Sequence, residues 1–241
     1  YIDEEEGSGW WPTKKVRLFT NDSRIRYENP VHEFVEPSMI RHGIKISESN
    51  IPVHHYGQLD NNHYRDREKK YFALGREKLA AKGADLPTLV QVAVEAGQVG
   101  EDDEAVKLWE RVLRIEPANT RAFLSLGFNY LKLKRYEDAR VSSEKALALE
   151  PGLKEAVTLF AACEVLLGNA GKIVTRLEEL LKEVPGYPIA QALLAAAYRI
   201  GGEKEKSLNL IRSLTKSDLN CADYLYGLSE GLVSTGRTGD A

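Results

Sequence analysis

From about residue 86 onward the apolar positions keep a helical rhythm, and that rhythm recurs with a step of 34 residues. Large apolar side chains stand at Val92, Leu126, Phe160, Leu194 and Leu228. One place later come small residues, Ala93, Gly127, Ala161, Ala195 and Ser229, which let two helices approach closely. Ala105, Ala139, Ile173, Ser207 and Ala241 form a further series at the same step. Gly100, Gly168, Gly202 and Gly236 share a place where a left-handed residue ends a helix, and Lys134 takes that place in the second repeat. Pro117, Pro151 and Pro185 follow the second helix of each unit, where proline stops that helix and orients the next. The pattern predicts helix pairs over 86–119, 120–153, 154–187 and 188–221, with an unfinished pair over 222–241.

This periodicity resembles the tetratricopeptide repeat (TPR). Residues 120–153 carry the motif most fully, through Leu126-Gly127, Tyr130, Tyr136, Ala139, Ala146 and Pro151. The resemblance implies a mainly α fold, a right-handed helix–turn–helix solenoid. Repeat four has Leu219 where proline is expected, and repeat five stops at Ala241 without a polar cap, which a solenoid end needs. The chain opens with Tyr1, and its single methionine is Met39. The expectation is a piece of a longer protein that continues at both ends.

Residues 1–63 follow a different grammar. The runs Val16–Thr20, Ile25–Val35 and Ile51–Tyr56 are rich in β-branched and aromatic residues and bounded by turn formers, so they predict short strands. Three such strands are too few to bury a core alone. Residues 64–85 predict a linker helix with an apolar stripe of Tyr71, Leu74 and Leu79 and a basic remainder. The expected organisation is therefore 1–63, 64–85 and 86–241, a small α+β portion joined by a helix to the repeats.

All five histidines, His32, His42, His54, His55 and His63, fall in the first portion. Histidine titrates near neutrality and ligates metals, so the clustering suggests a site, although surface and turn histidines fit equally. In Val31-His32-Glu33 the imidazole and carboxylate sit on adjacent strand residues and point to opposite faces. His54-His55-Tyr56-Gly57 ends a predicted strand, the usual place for a ligand on an α/β sheet.

The order Arg17-Leu18-Phe19, Val31-His32-Glu33, His55-Tyr56-Gly57 and Lys69-Lys70 resembles the tail of a family-2 glycosyltransferase of GT-A fold with TPRs fused behind it. The likeness covers roughly residues 10–85. It implies that residues 1–63 are the last strands of an enzyme that binds a nucleotide sugar. It further implies His55 and His54 as contacts to a divalent metal, Mg or Mn, which would neutralise the leaving diphosphate in the intact enzyme. Glu33, with His32 as rival, would accept a proton from the acceptor. Trp10 and Trp11 would stack on a sugar face or anchor a domain edge, and Arg17 and Tyr56 would contact substrate. The nucleotide-binding half and its Asp-x-Asp motif are not in this sequence. The piece is thus expected to be inactive alone and to hold no metal.

Composition narrows this further. A net charge of −3 disfavours nucleic acid, whose affinity rests on basic surface. No apolar run is long enough to span a membrane, and the chain does not open with a signal peptide. Cys163 and Cys221 lack metal spacing and read as reduced thiols, which points to a cytoplasmic protein. On the repeats, the fifth and ninth places line the partner groove of a TPR array. They hold Leu124, Phe128, Thr158 and Ala162, flanked by Arg121 and Lys132. The groove is mostly apolar and suits an amphipathic or extended segment of a protein or peptide, or another copy of the chain. Two functions follow: a glycosyltransferase fragment whose repeats hold the acceptor, or a non-enzymatic TPR scaffold that mediates protein–protein interaction.

Overall fold

The structure is a computed structural model that describes residues 19–27, 35–47, 61–82, 85–217, 221–237 and 239. The chain divides into two units, Tyr1–Thr88 and Leu89–Ala241.

In the first unit, helix α1 (Glu36–Arg41) carries Pro37 in its first turn, with Glu36 at its start and Arg41 at its end, in keeping with the helix dipole. Ser38 is buried. Its hydroxyl donates to the Val35 carbonyl at 2.7 Å and accepts from the Arg26 amide at 2.9 Å. Ile25, Val35 and Met39 form a small apolar cluster with Ile44 against it. Asp22 and Arg24 form a fork, with Nη2 donating to Oδ2 at 2.6 Å. The hydrogen bond from Arg24 brings the Asp22 carboxyl down to about 2. Helix α2 spans Asn61–Lys82, with Phe72 buried and Arg76 5.7 Å above its ring. Helix α3 (Leu86–Val99) begins where Asp85 accepts from the Thr88 amide at 2.8 Å and its hydroxyl at 3.0 Å, bonds that lower the Asp85 pKa.

The GT-A remnant of the sequence reading finds no support. Among the described residues there is no strand. Of Ile25–Val35, residues 25–27 are irregular and Val35 takes a helical conformation as the N-cap of α1. The physical reason is local. Pro37 fits the first turn of a helix, and the β-branched residues at 25 and 35 serve as apolar contacts for Met39 instead of as a pleated face. Most of Val16–Thr20, residues 28–34 and all of Ile51–Tyr56 lie outside the described residues.

The second unit takes in most of α3 and continues through α4 (Asp102–Ile115), α5 (Thr120–Lys132), α6 (Tyr136–Leu149), α7 (Lys154–Leu167), α8 (Val174–Glu183), α9 (Pro188–Ile200), α10 (Lys204–Ser217) and α11 (Cys221–Ser234), a run of helix pairs. Acidic residues open several of them, Asp102, Asp103 and Glu104 on α4 and Glu137 and Asp138 on α6. Asn119 caps α5 by accepting from the Ala122 amide at 2.8 Å. Pro117, Pro151 and Pro185 each follow closely on the last residue of α4, α6 and α8.

The turn between paired helices is left-handed throughout. Gly100, Gly168, Gly202 and Gly236 have φ of 85°, 88°, 82° and 79°, and Lys134 adopts φ 59° in the same place. Lys134 therefore carries a conformation that costs a side chain about 1 kcal/mol relative to glycine. The small residues of the eighth place sit where helices meet. A Cβ on Gly127 would stand 2.5 Å from Leu159 Cδ2. Repeat three departs from its neighbours. A 3-10 turn (Ala170–Lys172) precedes α8, and buried Ile173 fills the place that alanine holds in repeats one and two.

The first helices of successive repeats pack on one another, α5 on α7, α7 on α9 and α9 on α11, with the second helices α4, α6, α8 and α10 against them. A large apolar cluster runs from Ala146 through Ala162, Leu177 and Leu193 to Leu232, and Trp109, Val112 and Leu126 are buried earlier in the array.

Candidate binding face of the repeat array

Arg121, Leu124, Phe128 and Lys132 follow one another at spacings of three or four residues, so they project from one face of α5. Phe128 is 42% exposed, an unusual state for a phenylalanine. Leu124 is half-buried and Arg121 is exposed. Lys132 is tied down: its Nζ donates to the Gly97 carbonyl at 2.8 Å and to Asp102 Oδ1 at 3.3 Å. It thereby closes the C-terminal end of α3 onto the start of α4. The open part of this face is thus Leu124 and Phe128 with a positive charge at Arg121.

The equivalent places on α7 are not open. Thr158 and Ala162 are buried. The Thr158 hydroxyl donates to the Lys154 carbonyl at 3.0 Å and the Glu155 carbonyl at 3.1 Å, and burial raises the Tyr187 pKa. Lys154 Nζ stands 5.1 Å above the Tyr187 ring. Ala162 belongs to the central apolar cluster. On α9 the matching residue Ala192 is buried against Leu214, with Leu225 of α11 packed on the pair.

The seams between repeats are held by pairs that the sequence reading passed over. Tyr130 donates to Glu110 Oε1 at 3.2 Å, and two periods further on Tyr198 donates to Glu178 Oε1 at 2.5 Å. A cation covers each ring, Arg135 at 4.5 Å and Lys206 at 5.0 Å. The hydrogen bond to Glu178, aided by burial, keeps the Tyr198 hydroxyl protonated to about 12. For Tyr130 burial leads, followed by the Glu110 charge, and the shift has the same sign. In repeat three the tyrosine's place holds Glu164, which is buried 3.7 Å from Arg140 Nε. Arg140 also donates to Glu137 at 2.9 Å and Glu144 at 2.6 Å, so one guanidinium gathers three carboxylates. Superposing the repeats at their common step shows these pairs, since Tyr130 and Tyr198, like Glu110 and Glu178, share a place in the repeat.

Burial pushes the Cys163 thiol up to about 12, so it is an inert structural group rather than a nucleophile. His42 ends α1, with Nδ1 2.8 Å from the Ser38 carbonyl. Among the described residues no group of three or more His, Cys, Asp and Glu is arranged to hold a metal ion, and no helix is long and apolar enough to cross a membrane. Trp10, Trp11, Arg17, His32, Glu33, His54, His55 and Tyr56 lie outside the described residues.

Comparison with solved structures places the array in a known class of fold. A crystal structure of MamA protein matches with a TM-score of 0.56 and 16% identity over 68% of this chain and 90% of that chain. A second MamA crystal structure matches with a TM-score of 0.57 and 16% identity over 72% of this chain and 100% of that chain. A thermophilic TPR protein of Thermus thermophilus matches with a TM-score of 0.53 and 17% identity over 73% of this chain and 97% of that chain. No protein-family model and no curated protein matches the chain. The fold is TPR-like and helical. The glycosyltransferase resemblance gains no support from these relatives.

Proposed function

We propose that this chain is a protein-interaction scaffold whose repeat array takes a protein or peptide on the face of α5. The observation that carries the reading is Phe128, a large aromatic left 42% exposed beside half-buried Leu124 on α5. Exposed aromatic side chains with an apolar neighbour and a peripheral arginine make the centre and rim of a docking patch. Arg121 favours a partner segment that pairs an apolar anchor with an acidic residue. The TPR-like fold of the structural relatives is consistent with this role.

The test is site-specific photocrosslinking in the full-length protein. A photoreactive aromatic at position 128 is expected to trap a partner that is lost when Leu124 becomes aspartate. The same probe at Ile115, exposed at the end of α4, is expected to trap none. Equal crosslinking from both positions, or sugar transfer by the purified chain supplied with nucleotide sugars, would overturn the reading.

A further inference from the structure

Helix α11 does not simply continue the array. Elsewhere among the described residues a first helix packs on the first helix of the adjoining repeat; α11 packs on α9 and also on α7, two repeats upstream. The close approach is at Gly231, where a Cβ would stand 2.5 Å from Leu166 Cδ2. Leu228 and Leu232 join the apolar cluster that holds Ala162 and Leu166. Gly236, at φ 79°, then turns the chain, the Arg237 amide donates to the Leu232 carbonyl at 2.9 Å, and the Arg237 guanidinium lies against Gly168 at the end of α7. That end carries the negative pole of the α7 dipole, so the cation is matched to it.

We infer that the face of α7 bearing Ala162 and Leu166 is a docking site for an apolar partner helix, and that α11 is its occupant in cis. The partner's chemistry is read from the occupant: two leucines four residues apart, a glycine between them that admits Leu166, and an arginine just past the helix end. Burial of Ala162 follows the same logic, since it shares the cluster with Leu228 and Leu232 while the α5 face is open. Helix-in-groove recognition uses such i, i+3 and i+4 anchors. A cis occupant lowers the apparent affinity for a partner by the fraction of time the site is free. The site is therefore gated by the chain itself. The inference rests on the array being an interaction scaffold, but it uses a different face, so the α5 crosslink at position 128 can succeed while this site fails.

The experiment uses the full chain and a fluorescent peptide of residues 221–237. In Gly231→Arg the side chain meets Leu166 and disfavours cis seating. The peptide is expected to bind this variant about tenfold more tightly than wild type by anisotropy, and Ala162→Arg added to it is expected to abolish binding. In wild type, excess peptide is expected to speed amide exchange in α11 while α7 stays protected. Equal or absent binding to wild type and Gly231→Arg would overturn the inference. So would loss of helicity across the whole variant array with no peptide effect on wild-type α11 exchange. A concentration-dependent wild-type dimer that Gly231→Arg abolishes would make a second copy the occupant and remove the heterologous partner.

Discussion

The α5 face and the α7–α9 face occupy the same place in successive repeats, yet one is open and the other filled. On α5 the fifth and ninth places are Leu124 and Phe128, large side chains that stand out of the layer. On α7 they are Thr158 and Ala162, and on α9 Ala192 and Ala196. Small residues there let the layer be overlaid by Tyr187, Leu225 and the glycine face of α11. Side-chain size at these two places decides whether a repeat presents a surface or receives one. A large residue holds a neighbour off, and a small one invites it to pack.

Substitutions in the filled half carry the greatest cost to stability. Leu193 is fully buried in α9, and Leu193→Ala is expected to cost about 2–5 kcal/mol by urea unfolding, because the cavity has no room to collapse. Phe128→Ala, a larger truncation on the open half, is expected to change stability by under about 0.5 kcal/mol while removing partner crosslinks. A comparable loss from both would erase the distinction between the halves.

A middle-sized effect lies at the seams. Tyr130→Phe and Tyr198→Phe are each expected to cost about 1 kcal/mol, the net value of one hydrogen bond to a carboxylate that remains partly solvated. Tyr198 keeps its proton to about 12 in the folded chain, against 10.0 when unfolded. Its contribution is therefore present below pH 10 and is lost as pH rises towards 12, because only the unfolded chain gives up the proton in that window. Tyr198→Phe should flatten the alkaline limb of a stability–pH curve in that window. An unchanged limb would show that the hydroxyl does not hold the seam between repeats three and four.

The turn of repeat two tolerates exchange with little change in stability. Lys134→Gly relieves a left-handed side chain but adds freedom to the unfolded chain, for a net gain of about 0.5 kcal/mol. The same exchange in reverse, Gly168→Lys, is expected to be destabilising by more. There φ is 88° and Arg237 occupies the space a Cβ needs. Thermal melts of the two variants should move in opposite directions.

The helix pairs were legible because their punctuation is local. A proline past each second helix and a glycine between partners act through one residue's own backbone, and the step repeats them often enough to align. Lys134 shows the limit, since only its place in the register marked it as left-handed. The reach of Lys132 to Gly97 and Asp102 was not legible, because a flexible side chain chooses its partner in three dimensions. Nor was the covering of Ala162, which shares its apolar cluster with a helix about sixty residues later in the chain. At the described ends of the Ile25–Val35 run, residues 25–27 and Val35, no strand forms, for a related reason. β-branched residues favour a strand when they face a pleated neighbour, and here Ile25 and Val35 face Met39 of a short helix instead.

Cys163 gives the array a built-in clock. It sits at the centre of α7, fully enclosed, and stays a thiol across the whole range in which alkylating reagents are used. A reagent can reach it only when repeat three opens, so the rate of its labelling reports the free energy of that opening and nothing nearer the surface. Slowing of the reaction on addition of a ligand would then locate that ligand's grip on the middle of the solenoid without any probe being attached.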